Sequence, residues 1–198
     1  MFNTINEILL KKDNPSLEIK KLREELLKSP LKGIIELEEI DQNKTYHPEG
    51  DVLNHVLLVV DKASNYKFYS KDPKVFMWSS LLHDIGKLTT TKIINGKISS
   101  PNHDIVGEKM ALDILNEIND NLEFNIKVSK YVKHHMQPLF FNLDKRMFKK
   151  EEILSEVDYE ELALLSICDR LGRGGFDKYH EIQEINLVKE FYDFMKNR

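Results

Sequence analysis

The adjacent residues His83 and Asp84 constrain this chain more than any other feature of its sequence. They follow the apolar residues Leu81 and Leu82 and precede Gly86, which turns the chain. Neighbouring residues of an α-helix point about 100° apart, so both side chains face one ion only where a helix ends or is distorted. The pair therefore predicts a metal site at the end of a buried helix.

Composition narrows the class of protein. The chain has 198 residues, of which 41% are hydrophobic, which is enough for one domain with a proper core. A net charge of −4 argues against bulk attraction to nucleic acid. The single cysteine, Cys168, excludes an intramolecular disulfide and a thiolate zinc cluster. The sequence predicts neither a signal peptide nor a membrane span, and we expect a cytoplasmic protein.

Periodicity predicts an all-α fold. Almost every periodic segment has helical spacing, and long period-2 runs of β-branched residues are missing. Asp51 is typical of an N-cap, here for a helix through Tyr66. Asn95-Gly96 between apolar residues is typical of a short β-hairpin. The other predicted helices cover residues 3–11, 16–28, 73–84, 104–118, 125–135 and 159–171, with a C-terminal helix from about residue 178.

The spacing of apolar residues also indicates the buried faces. In the helix over 104–118 we expect the buried positions to be Ile105, Met110, Leu112 and Leu115. Residues 1–43 form a helical extension that we expect to pack on the core. Leu162, Leu165 and Asp169 share one face of the helix over 159–171, which puts a carboxylate among leucines.

Several further histidines and one aspartate are candidate ligands. A lone carboxylate at Asp169 would be costly to bury without a partner, and a cation supplies one. A single histidine on an apolar face is more often a hydrogen-bonded core residue, but here separate helices carry several at once. Imidazole and carboxylate ligands suit Mn, Fe, Co, Zn or Mg. The candidates are His55, His83, Asp84, His103, His134, His135 and Asp169, whereas His47 and His180 are interpreted as structural.

The order His55 … His83-Asp84 … Asp169 resembles the H…HD…D signature of the HD-domain superfamily of metal-dependent phosphohydrolases. The run over 83–87 is its common HDIGK form. The resemblance covers residues 46–176 and implies an HD-domain helical bundle, which makes residues 44–198 an HD phosphohydrolase domain with a C-terminal helix. Within the superfamily, the chain is similar to the HD domain of bacterial tRNA nucleotidyltransferases in the segments over 46–52, 135–138 and 169–174.

Departures from related patterns narrow the expected chemistry. No nucleotidyltransferase head precedes the domain in this sequence, so nucleotide addition to tRNA is not expected. His134-His135 is not followed by the stretch typical of cyclic-di-GMP hydrolases. Asp84 is not followed by the Glu-Asp pair of guanosine-tetraphosphate hydrolases, and Lys87 stands where many deoxynucleotide triphosphohydrolases have a histidine.

The resemblance implies a ligand set. One ion would be held by His55, His83, Asp84 and Asp169, and Asp84 would bridge to a second ion. His103 matches the extra histidine of two-metal HD enzymes. Either His134 or His135 would complete the second site; we prefer His134, with His135 as a substrate contact.

The resemblance further implies a metal-dependent phosphohydrolase with one or two divalent ions (Mn, Fe, Co, Ni, Mg or Zn). The substrate would be a phosphomonoester or phosphodiester of a nucleotide-like molecule, including 2′,3′-cyclic forms, and an RNA end is a further candidate partner. Asp84, Lys87 and Arg170 are the expected catalytic residues; Lys87, Arg170, Arg173 and His135 are the expected substrate contacts. Lys87 is also interpretable as a helix-end charge. The rival hypothesis is a non-catalytic module that binds a nucleotide or an RNA end.

Overall fold

A computed structural model describes residues 1–45, 47–175 and 177–197. Helix accounts for 70% of the chain, beside one small two-stranded sheet, so the expected all-α class is confirmed. Two 3-10 turns, Leu37–Glu39 and Lys67–Tyr69, connect helices. The helices are α1 Phe2–Lys11, α2 Pro15–Lys21, α3 Arg23–Leu26, α4 Lys32–Glu36, α5 Val52–Tyr66, α6 Pro73–Leu82, α7 Lys87–Thr90, α8 His103–Ile118, α9 Leu122–His134, α10 Gln137–Leu143, α11 Lys150–Glu156, α12 Tyr159–Leu171 and α13 Lys178–Lys196.

Helix α6 lies at the centre of the bundle. Its residues from Val75 to Leu82 are all buried, and a helix that is apolar all round has to be enclosed by others. Helices α1, α5, α9 and α12 pack against it. Asp72 caps its N-terminus by accepting a hydrogen bond from the Val75 amide. This central position makes the end of α6 a buried point, and His83 and Asp84 follow there.

Helix α5 begins where the sequence predicts. The Asp51 carboxylate accepts a hydrogen bond from the Asn54 amide at 2.8 Å, which stabilises the first turn. The buried face of the helix carries Val52, Val56 and Val59 against the core. Because its side chain lies on that face, His55 also points into the bundle and is buried.

Residues 1–43 share the main hydrophobic core with the rest of the chain. The Phe2 ring stacks on Trp78 with 4.8 Å between ring centroids, and the Trp78 indole donates to the Asn6 side chain at 3.2 Å. At α2, the Ser16 amide and hydroxyl both donate to the Asp61 carboxylate. The N-terminal helices are therefore tied to α5 and α6 by apolar packing and by specific polar contacts.

The two strands of the small sheet form a β-hairpin. Strand β1 (Lys92–Ile94) pairs with strand β2 (Lys97–Ser99) in antiparallel register, with Ile94 opposite Lys97. Asn95 and Gly96 have φ values of 51° and 75°, as a tight two-residue turn requires. The hairpin predicted from the Asn-Gly pair is thus present.

Some local expectations were wrong. The helix predicted over 16–28 is broken at Leu22 into α2 and α3. Ile105 is 45% exposed, because the buried side of α8 runs instead through Gly107, Ala111 and Leu115. Helices α7, α10 and α11 are short and were not anticipated. Within the part of the chain that the structure covers, none of the helices is long and apolar enough to cross a bilayer.

Truncating a core leucine of the N-terminal segment tests whether it belongs to the cooperative unit. Leu9 in α1 is fully buried, whereas Leu17 in α2 is 58% exposed. We expect Leu9→Ala to lower the free energy of unfolding by about 2–5 kcal/mol and Leu17→Ala to change it by less than about 0.5 kcal/mol. Urea unfolding followed by circular dichroism measures both. A separate early transition for the N-terminal helices would contradict a shared core.

Candidate metal centre

Three helices bring the first group of predicted ligands together. Helix α6 ends at Leu82, His83 is its C-cap, and Asp84 lies in the turn that follows. His55 comes from the middle of α5, and Asp169 from the last turn of α12. The chain leaves the helical path directly after the C-cap, so these adjacent side chains reach the same point, as the sequence required.

The donor atoms of this group are close to one another. His55 Nε2 lies 3.0 Å from Asp169 Oδ1 and 3.4 Å from His83 Nε2. Asp84 Oδ2 lies 3.4 Å from His83 Nε2 and 3.7 Å from His55 Nε2. Two ligands that are each about 2.1 Å from a cation lie roughly 3.0–3.4 Å apart for right-angle to tetrahedral arrangements. The spacing therefore suits one ion.

The second oxygen of Asp84 belongs to another group of donors. Asp84 Oδ1 lies 3.3 Å from His103 Nε2 and 3.7 Å from His135 Nε2. The two imidazole nitrogens are 3.2 Å apart. His103 is the first residue of α8, and His135 is the C-cap of α9. A single carboxylate thus connects two groups of ligand atoms, each with the donor types that divalent ions bind.

Two glycines permit the helices to approach this closely. A Cβ on Gly86 would overlap the His103 carbonyl oxygen, and one on Gly172 would overlap the Val59 backbone. Gly86 therefore lets the turn after Asp84 contact the start of α8. Gly172 likewise lets the end of α12, with Asp169, contact α5, which carries His55.

The imidazoles of three candidate ligands are oriented in the same way. Each Nδ1 lies within hydrogen-bond distance of the backbone carbonyl oxygen three residues earlier, so that Nδ1 carries the proton and Nε2 keeps a lone pair. The pairs are His83 with Ser80 at 2.9 Å, His103 with Ser100 at 2.8 Å, and His135 with Val132 at 2.6 Å.

This arrangement fits a cation. Burial, together with the neighbouring His103 and His83, lowers the pKa of His135 to about 4. Burial likewise lowers the pKa of His103. Both rings are therefore neutral near pH 7, and two lone pairs and a carboxylate oxygen face one point with no proton among them. A divalent ion bound at that point would relieve the repulsion. Imidazole nitrogens and carboxylate oxygens are common ligands of such ions.

Asp84 stays ionised although it is buried. Burial raises the pKa of its carboxyl, but the charges of Lys87 and His83 outweigh burial and hold that pKa well below its usual range. Lys87 Nζ lies 2.8 Å from Asp84 Oδ2 and donates to the Gln42 side chain at 2.8 Å. Lys87, the first residue of α7, therefore binds the Asp84 carboxylate. The sequence analysis had instead expected it to contact a phosphate.

The structure brings His135, rather than the preferred His134, to the Asp84 carboxylate. Helix α9 ends at His134, and the rotation of about 100° between neighbours turns its ring away from Asp84. His134 Nε2 lies 2.7 Å from Glu156 Oε2 in α11. Burial opposes ionisation of Glu156, but bonds from Lys133 and His134 lower its pKa to about 2. The position assigned to His134 is taken by His135, which the sequence analysis had given to substrate.

Two neighbours of His55, Glu49 and His47, were not among the predicted ligands. Glu49 Oε1 lies 2.9 Å from His47 Nδ1 and 2.9 Å from His55 Nδ1, although the direction at His55 Nδ1 does not meet hydrogen-bond geometry. The His47 ring is edge-on to that of His55, with centroids 4.9 Å apart. Burial opposes ionisation of Glu49, but the His47 hydrogen bond and the adjacent His55 imidazole outweigh it and hold the pKa of Glu49 below its usual range. The structural role given to His47 therefore includes supporting a candidate ligand.

The metal centre opens into a cavity of about 760 Å³. Asp84, Asp169, His103 and His135 lie on its wall, and so do Lys87, Arg170 and Arg173. Arg170 pairs through Nη1 with Glu184 of α13. Its Nη2 and the Nε of Arg173 are buried without a hydrogen-bond partner among the residues that the structure describes. Both predicted arginines thus keep a free donor beside the candidate ligands. Of the motif segment over 46–52, Tyr46 lies outside the described residues.

Comparison with known families agrees with this geometry. The profile of the HD domain family, described as "HD domain", matches residues 52–174. That range contains each residue of the two donor groups. It confirms the family-level resemblance that the order of His55, His83-Asp84 and Asp169 indicated.

Curated relatives extend the similarity over most of the chain. The Multifunctional CCA protein of Actinobacillus pleuropneumoniae serotype 5b (strain L20) is 28% identical over 187 residues, which are 91% of this chain and 45% of that protein. The Multifunctional CCA protein of Pseudomonas fluorescens (strain SBW25) is 28% identical over 184 residues, 85% of this chain and 42% of its own length. The chain therefore spans less than half the length of these relatives.

Replacing His134 and His135 one at a time by alanine tests which of them binds metal. We expect His135→Ala to reduce the bound metal from about two ions per chain toward one, because it removes one donor of the second group. We expect His134→Ala to leave the metal content unchanged and to lower the free energy of unfolding by about 1–3 kcal/mol, because Glu156 loses a hydrogen bond. Elemental analysis and urea unfolding measure these effects. Loss of metal in His134→Ala alone would contradict this placement.

Neutralising Glu49 tests its support of His55. Glu49→Gln keeps the size of the side chain but removes the charge beside His55 Nδ1, and carboxylates in that position typically strengthen a metal-binding imidazole. We expect metal affinity to fall by roughly 10–100-fold, measured by titration with Mn²⁺. The matched control is Glu38→Gln, an exposed glutamate paired with Arg23. Equal affinities of the two variants would exclude this role for Glu49.

Proposed function

Because this chain belongs to the HD domain family, we propose that it is a metal-dependent phosphohydrolase acting on a phosphoester of a nucleotide-like molecule. Members of the family are commonly metal-dependent hydrolases. The observation that carries the proposal is the Asp84 carboxylate, whose two oxygens each face a separate pair of imidazoles. A degenerate, non-catalytic module would be expected to lose some of these donors.

The residues have distinct tasks in this proposal. His55, His83 and Asp169 would hold one ion with Asp84 Oδ2, and His103 and His135 would hold a second with Asp84 Oδ1. Divalent ions in such a site supply an activated water and neutralise charge on phosphoryl oxygens. Lys87 keeps Asp84 ionised and in place, and the backbone carbonyl partners of the imidazoles keep Nε2 free for binding.

The arginines are proposed to bind the substrate anion. Arg170 Nη2 and Arg173 Nε are buried on the cavity wall with unused donor capacity, and buried donors without partners are costly. A phosphoryl oxygen accepts hydrogen bonds from guanidinium groups with favourable charge. The Glu184 carboxylate, which also lines the cavity, pairs with Arg170 Nη1 and leaves Nη2 available to the anion.

The substrate class proposed is a nucleoside phosphomonoester or phosphodiester, including 2′,3′-cyclic forms. The similarity to Multifunctional CCA proteins supports a nucleotide or an RNA end as the molecule that carries the phosphate. Hydrolysis at the candidate metal centre is the activity that we propose for this chain.

A panel of nucleoside monophosphates and 2′,3′-cyclic nucleotides, assayed with Mn²⁺, Co²⁺, Ni²⁺ or Mg²⁺, tests the proposal. We expect metal-dependent turnover in the wild type and a loss of at least roughly 100-fold in kcat/KM for Asp84→Ala. The control is Asp113→Ala, an exposed aspartate paired with Lys109. Release of phosphate or opening of the cyclic ester is followed by chromatography.

The same panel separates the two hypotheses for this chain. Tight nucleotide binding by metal-loaded wild-type protein without any turnover would favour the non-catalytic module and would overturn the hydrolase. In that case Asp84→Ala would mainly lower the melting temperature.

A further inference from the structure

The β-hairpin stands beside the metal centre as one wall of the cavity. Ile94, Lys97 and Ile98 line the cavity, whereas Ile93 does not. Successive residues of a strand point to opposite faces, and directly paired residues share a face. Ile94 and Lys97 are paired and both line the cavity, and so does Ile98, the partner of Ile93, so strand β2 contributes side chains from both of its faces. Ile93 itself is 76% exposed and does not line the cavity.

Apolar side chains from outside the hairpin also line the cavity. Met136, Leu139 and Leu143 line it from α10 and the turn before it, and Leu187 lines it from α13. Charged side chains also line it, among them Asp84 and Lys87 at the candidate metal centre and Lys97 on the hairpin. The cavity thus combines a charged end at the metal centre with apolar sides, which suits a ligand that has an anionic group and an apolar body.

The hairpin wall is held in place from both ends. The Asn95-Gly96 turn fixes the register of the strands. At the open end, the hydroxyls of Thr91 and Ser100 are 2.8 Å apart. The Ser100 carbonyl also accepts the Nδ1 hydrogen bond of His103 at 2.8 Å. The wall is therefore attached directly to a candidate ligand and has a defined position relative to it.

Two polar side chains of the cavity wall, Gln42 and Asn43, are engaged within the protein. The Gln42 amide oxygen accepts from Lys87 and its nitrogen donates to the Asp51 carbonyl. The Asn43 side-chain oxygen accepts from the Thr45 amide. Side chains that are occupied in this way are poorly placed to read the hydrogen-bonding edge of a base.

We propose that the hairpin face of Ile94, together with the apolar side chains of α10, binds the nucleobase of the substrate by apolar contact rather than by its hydrogen-bonding edge. This inference rests on the proposed function, which supplies the phosphate at the metal centre. The base is a planar group whose faces pack well on aliphatic side chains. The hairpin is then the specificity-determining element, and it selects for the presence of a base and tolerates its identity.

Adenosine 5′-monophosphate and ribose 5-phosphate, in which a hydroxyl replaces the base at C1′, measure this contact. We expect KM of the wild type for the nucleotide to be at least about tenfold lower than for the sugar phosphate, since even one methylene in an apolar pocket changes binding by roughly tenfold or more. The four common nucleoside monophosphates should agree within about fivefold, because none of their edges is read.

The variant Ile94→Thr places a hydroxyl on the cavity face while keeping a β-branched residue in the strand. We expect it to raise KM for adenosine 5′-monophosphate roughly tenfold and to leave KM for ribose 5-phosphate within about twofold. Ile93→Thr, the same change at the neighbouring exposed position that does not line the cavity, is the matched control and should leave both values unchanged. Metal content, measured by elemental analysis, should equal the wild type in both variants.

Equal effects of Ile94→Thr and Ile93→Thr, or equal KM values of the wild type for the two ligands, would overturn the inference. Absence of turnover with metal bound would overturn the hydrolase instead. Dissociation constants measured by calorimetry in Mg²⁺ then replace KM in the same comparison. A wild type that binds adenosine 5′-monophosphate no better than ribose 5-phosphate would refute the hairpin contact in that case as well.

Discussion

The structure depends on keeping one carboxylate charged inside the bundle. Asp84 lies at the end of the most enclosed helix, where an isolated charge is strongly disfavoured. Its charge is stabilised by Lys87 three residues on, while His83, His103 and His135 place Nε2 within 3.7 Å of its oxygens. These partners come from distant parts of the chain, so the surrounding helices must pack in one arrangement if the charge is to be balanced. A divalent cation bound between the same groups would strengthen that constraint.

Helix ends are the means by which the donors converge. Inside a helix, neighbouring side chains diverge and a single face delivers residues three or four apart. His83 and His135 are instead C-caps, and His103 is the first residue of its helix. The rings of His83 and His135 are fixed by carbonyls three residues earlier, in the last turns of their helices, where a helix end leaves them available. The same feature therefore orients the imidazole and satisfies a backbone group that would otherwise lack a partner.

Sequence patterns were sufficient wherever the signal was local. The Asp51 cap, the Asn95-Gly96 turn and a carboxylate at Asp169 on a leucine face each depend on residues within one or two turns, and each feature is present in the structure. The choice between His134 and His135 depended on the residue at which α9 stops, and helix ends are specified only to within a residue or two. Glu49 lies in a loop without periodicity, and only the long-range packing of that loop against α5 makes it a neighbour of His55.

The hairpin has the same kind of dependence on a distant contact. The sequence does not show whether Ile93 or Ile94 lines the cavity, because both residues are apolar and a two-stranded sheet has no core of its own. Ser100 positions the hairpin, because its carbonyl accepts a hydrogen bond from His103 and its hydroxyl contacts Thr91. One residue therefore fixes both the tautomer of a candidate metal ligand and the position of the wall beside it. The groups proposed to bind the phosphate and the base are thus positioned by a common backbone segment, so that a shift of one displaces the other.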